Sequence, residues 1–113
     1  MSLNPQEFTK QCKWIMLDFD FKKVHQVMVA ANITWIFTGQ EARVPTVEEI
    51  QRAALKSLQA AADTDEDVET MGLGFIARLS DGYLRLTYVI EDSCSKDFDH
   101  APIYSVVAKP DQN

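Results

Sequence analysis

Residues 73–90 read LGFIARLSDGYLRLTYVI. Two stretches of alternating apolar and polar residues flank Asp81-Gly82. This dipeptide suits a two-residue turn with both central residues at positive φ, the turn type whose twist matches a β-hairpin. Because side chains alternate with a period of two, such a turn sets the register, and the register sets which residues share a face. It pairs Ser80 with Tyr83, Leu79 with Leu84, Arg78 with Arg85, Ala77 with Leu86, Ile76 with Thr87 and Phe75 with Tyr88. One face is then Leu73, Phe75, Ala77, Leu79, Leu84, Leu86, Tyr88 and Ile90, which requires a core. The other is Ile76, Arg78, Tyr83, Arg85, Thr87 and Val89.

Upstream, helix signals dominate. Asn4-Pro5-Gln6-Glu7 combines a cap with proline at the first helical position. Leu3 and Phe8 have staple spacing, and Phe8, Cys12 and Ile15 share a face of a helix ending near Met16. Asp20 caps a second helix with Phe21, Val24, Val27, Met28 and Ala31 as its stripe, and Asn32 as a left-handed terminator. Thr46-Val47-Glu48-Glu49 is a capping box of the T-x-x-E form. It opens a helix that buries Val47, Ile50, Ala54, Leu58 and Ala61 and ends near Ala62.

Residues 33–38, ITWIFT, are β-branched and aromatic and are expected to form a strand. So are residues 103–108, and Pro102 and Pro110 bound them as an edge strand. The expectation is one α+β domain over residues 1–113, in two layers. About three helices pack on a mostly antiparallel sheet of about four strands, in the order ααβαβββ.

A net charge of -6 argues against general affinity for nucleic-acid phosphates or anionic membranes. No apolar run approaches the roughly 20 residues of a membrane span, and the N-terminus lacks a signal peptide's basic start and apolar middle. Cys12 and Cys94 form neither a disulfide framework nor a metal cluster. Asp63-Thr64-Asp65-Glu66-Asp67-Val68-Glu69 has the acids of a calcium loop but not its glycine or distal glutamate, and reads as a solvated acidic loop. Asp97-Phe98-Asp99-His100 offers ligand types without a second cluster.

The polar hairpin face carries the chemistry. Arg78 opposite Arg85 is unfavourable unless an anion intervenes, and the chain has only four arginines. One reading is an anion or phosphate site, with Tyr83 or Tyr88 stacking a base. The other is neutralisation by Asp81, Glu91 or the acidic loop. Trp35 is either core or a stacking platform, with Arg43 adding charge at the same end. His25 with Asp18 or Asp20 is the only arrangement suggesting a hydrolase. No phosphate loop, dinucleotide fingerprint, zinc spacing or nucleophile elbow is present, so no cofactor is implied.

FDFKKVHQVMVAANITW, then VPTVEEIQRAALKSL, then GLGFIARLSDGYLRLTYVIEDS resembles a family of small uncharacterised proteins of tailed bacteriophages and prophages. In that family a K-V-H-x-x-M helix precedes a tryptophan segment, a P-T-x-E-x-L-type helix and a glycine-led hairpin. This chain has Gly72-Leu73-Gly74 where the family has paired glycines, and adds an N-terminal helix and a C-terminal strand. The resemblance implies a viral accessory protein working in the cytoplasm of a host bacterium. It would bind a host protein or a small nucleotide-like ligand to counter a host defence or host enzyme. The residues add two expectations: a homodimer over the second sheet face, and, as an alternative function, an acidic mimic of nucleic acid.

Overall fold

The computed structural model describes residues 3–64, 68–69, 74–89 and 102–109. Three helices come first and a four-stranded sheet follows. Helix α1 spans Pro5–Asp18, α2 Phe21–Ala30 and α3 Val47–Asp63. Strands β1 Val68–Glu69, β2 Phe75–Ser80, β3 Tyr83–Val89 and β4 Pro102–Val107 form an antiparallel meander in that order. Three strands are of ordinary length and β1 is two residues long.

The helix ends follow from local chemistry. The Asn4 side chain accepts from the Glu7 amide at 2.8 Å, with Pro5 first in the helix. Asp20 accepts from the Lys23 amide at 3.0 Å. Helix α2 closes in a Schellman motif. Asn32 sits at φ 54°, and the amides of Asn32 and Ile33 donate to the carbonyls of Val29 and Met28. Thr46 and Glu49 make both bonds of the capping box.

The hairpin register is the expected one at every pair from Phe75↔Tyr88 to Ser80↔Tyr83. Asp81 and Gly82 take φ 53° and 80°, as the turn requires. All three helices pack on one face of the sheet. Helix α3 lies across β2 and β3, α1 reaches α3 and β3, and α2 rests mainly on α3. The core holds Ile15, Met28, Ile50, Ala54, Leu58, Phe75, Ala77, Leu84, Leu86 and Tyr88. Rings of Phe19, Phe21, Phe75, Tyr88 and Tyr104 meet at centroid distances of 4.7 to 6.1 Å, the range of favourable edge and tilted contacts.

Two expectations change. Residues 33–38 do not join the sheet: Trp35 makes one isolated bridge, to Arg43. That bridge turns the segment back on its own loop, and Ile36 is left 73% exposed. β propensity reports a fit to a half-buried pleated surface, and among the described residues this segment bridges only to its own loop. The place taken beside β2 belongs instead to Val68–Glu69, within the stretch read as an acidic loop. The order is therefore αααββββ. Residues 65–67, the Asp97–His100 group and Cys94 lie outside the described residues.

One long-range polar contact stands out. Gln11, buried at 3% exposure, accepts from the Leu84 amide and donates to the Gly82 carbonyl, both at 2.8 Å. It holds α1 against the hairpin turn.

Candidate functional site

Arg78 and Arg85 are directly paired across β2 and β3, on the face away from the helices. Counting from the turn, they are a hydrogen-bonded pair, for which Cα atoms lie about 5.5 Å apart. Both are exposed, and Tyr83 is 38% exposed on the same face. Val107 pairs with Arg85 on its other side. Together with Ser80 and Asp81 these residues line a depression of about 380 Å³. Among the described residues, the rim carries one carboxylate, Asp81, beside the two guanidiniums. Arg78 already has an interaction of its own, so Arg85 is the less committed of the pair.

Register alone brought Arg78, Arg85 and Tyr83 together. Ser80, Asp81 and Val107 complete the rim. The turn placed the first two, whereas Val107 depended on the β3–β4 register, for which the sequence carried no turn signal.

The other expected residues are elsewhere. Tyr88 faces the core and is 1% exposed, so it cannot stack a ligand held by the arginines. Val89, placed by alternation on the outer face, is buried; a register shift against β4 falls between Tyr88 and Val89. Trp35 is half-buried and packs on the core. Arg43 is committed to α3: its two terminal nitrogens meet the Glu49 carboxylate at 2.7 and 2.8 Å. Its guanidinium carbon lies 4.1 Å from the centre of the Phe37 ring. Neither Trp35 nor Arg43 lines the arginine depression.

The Arg43 guanidinium, with the Thr46 amide, holds the Glu49 carboxyl down to about 2. Its folded pKa lies below the unfolded value, so Glu49 stabilises the fold above about pH 4.3. That contribution is lost as pH falls through about 2. Melting curves of Glu49→Gln and the parent across this window are expected to show a shallower acid limb in the variant. Equal slopes would mean that the ion pair does not couple to folding.

The carboxylates wanted for a hydrolase have structural duties. Asp20 caps α2, and Asp18 lies 3.6 Å from Lys109. His25 is half-buried on α2. Cys12 is buried, and desolvation pushes its thiol up to about 12, which keeps it protonated. Among the described residues, no group of three acidic, histidine or cysteine side chains is arranged to hold a metal, and no helix is long and apolar enough to cross a membrane. Compared with models of known protein families, with curated proteins and with solved structures, the chain matches none.

Proposed function

We propose that this chain is a non-enzymatic binding protein that holds a small, nucleotide-derived anion on the Arg78–Arg85 face. The observation that carries this reading is the direct opposition of the two arginines over an open depression with an exposed tyrosine at its side. Like charges directly opposite across strands are destabilising. A phosphate between them turns that cost into charge-assisted, bidentate hydrogen bonds. Tyr83 supplies a ring against which a base stacks. The depression, about 380 Å³, falls within the roughly 300–1,000 Å³ of small-molecule sites.

In this reading the protein is a phage-encoded accessory factor. It acts in the host bacterial cytoplasm by withdrawing a ligand that a host defence needs. The sequence resemblance supports the viral setting, and the acidic net charge, -6, supports selection against nucleic-acid polymers. A second copy of the chain is the competing occupant of this face, where Val107 is 43% exposed.

The test is calorimetric titration of parent and Arg78→Ala/Arg85→Ala protein with adenosine diphosphate and a cyclic dinucleotide as probes. The parent is expected to bind at least one probe in a salt-sensitive way. The double variant should lose about tenfold or more, since hydrogen bonds to charged groups contribute roughly 1.5–3 kcal/mol each. Undiminished binding by the variant, or dimerisation that survives while no probe binds the parent, would remove the arginine site from the account.

A further inference from the structure

The arginine depression holds a carboxylate that the turn does not require. Asp81 and Gly82 form the hairpin turn at φ 53° and 80°, and asparagine suits the first of these positions at least as well as aspartate. Asp81 is exposed and lines the depression with Arg78, Ser80, Tyr83, Arg85 and Val107. Among the described residues its carboxylate makes no hydrogen bond or ion pair. A carboxylate that neutralised the arginine pair would sit against a guanidinium. This one stands apart from both and keeps its two oxygens open as acceptors.

The layout along the outer face is linear. Moving away from the turn, the first pair on that face is Ser80 with Tyr83 and the next is Arg78 with Arg85. Arg78 precedes Asp81 by three residues, and strands rise about 3.4 Å per residue, so roughly 10 Å separate them. A nucleotide lying along the hairpin, with its phosphate at the arginines and its base on the Tyr83 ring, brings its ribose between the two. The far edge of the base then meets Asp81.

We propose that this base is guanine and that Asp81 determines the choice; the inference rests on the arginine-face reading and names the base of its ligand. Guanine is the common base whose pairing edge sets two N–H donors side by side, on N1 and on the 2-amino group. A carboxylate accepts both, one at each oxygen, in the bidentate geometry that makes charge-assisted hydrogen bonds strong and directional. Adenine and cytosine place a lone pair beside their amino group, and the carboxylate repels it. Uracil flanks its single N–H with two carbonyls. The negative phosphate lies at the opposite end, where the arginines face it.

The experiment measures calorimetric affinities of guanosine diphosphate and adenosine diphosphate for the full-length parent, Asp81→Asn and Arg78→Ala/Arg85→Ala. Asparagine before glycine is a preferred pair in this turn, so the hairpin survives Asp81→Asn. The parent is expected to bind guanosine diphosphate about tenfold or more tightly than adenosine diphosphate, the worth of one hydrogen bond to a charged group. Asp81→Asn should abolish that preference and leave adenosine diphosphate binding equal or tighter, because a negative charge is gone. The readout is the ratio of the two affinities, since an internal counter-ion would move both ligands together. The arginine double variant should weaken both. Equal affinity of the parent for the two nucleotides, with both lost in the arginine variant, overturns the guanine inference and leaves the arginine reading standing. A guanosine preference that survives Asp81→Asn also overturns it. Binding of neither nucleotide by the parent overturns both.

Discussion

Gln11→Met is expected to destabilise the protein by about 1–3 kcal/mol, although methionine matches glutamine in length and suits a helix. The loss comes from the hairpin. The Gln11 amide answers two backbone groups next to the Asp81-Gly82 turn, the Leu84 amide and the Gly82 carbonyl, each at 2.8 Å. The Leu84 bond is fully buried. Methionine would leave the buried Leu84 amide unpaired beneath α1, and an unmet buried backbone group costs roughly 1–3 kcal/mol; the Gly82 carbonyl, in an exposed turn, can turn to water instead. Gln6, exposed on the same helix, is the control: Gln6→Met should change stability by less than about 0.5 kcal/mol. Denaturant unfolding of the two variants separates them. If they behave alike, the hairpin is not held by Gln11.

Gly74→Ala is expected to cost more than about 3 kcal/mol, or to prevent folding, whereas Gly82→Ala should cost only about 1–2 kcal/mol. Both glycines have positive φ, 86° and 80°, so both substitutions carry the same left-handed strain. They differ in space. A Cβ on Gly74 would lie 2.3 Å from the Val89 carbonyl oxygen, while a Cβ on Gly82 meets nothing within 4 Å. The obstacle at Gly74 is backbone, so relief requires β2 and β3 to part where the Val89 amide donates to the Gly74 carbonyl at 2.8 Å. Circular dichroism melts of the two variants give the comparison. Similar losses at both positions would mean that strain alone accounts for the effect.

The parts of the fold legible in the sequence were those governed by local chemistry. The Asp81-Gly82 turn and period-two alternation determined the hairpin register, and hence the Arg78–Arg85 pairing. Asn4, Asp20, Asn32 and the Thr46–Glu49 box marked helix ends through bonds spanning three to five residues. Contacts across the chain were not legible. The ITWIFT segment has strand composition, but only a neighbouring edge makes a strand, and that edge went to Val68–Glu69. Gln11 reads as an ordinary helical residue because its partners lie 71 and 73 positions away. Arg43 looked available because its proximity to Glu49 depends on how the loop enters α3. Tyr88 illustrates both sides: alternation put it in the core, yet the lack of a partner for its hydroxyl among the described residues is visible only in three dimensions.

The arginine face is the central claim, and its most direct test needs no prior choice of ligand. Parent and Arg78→Ala/Arg85→Ala proteins are purified side by side from infected, defence-competent bacteria and denatured, and the released small molecules are weighed by mass spectrometry. The account predicts a nucleotide-derived anion released from the parent in near-stoichiometric amount and absent from the double variant. An empty fraction from the parent accompanied by a co-purifying host protein, or the same molecule released equally from both proteins, would contradict it.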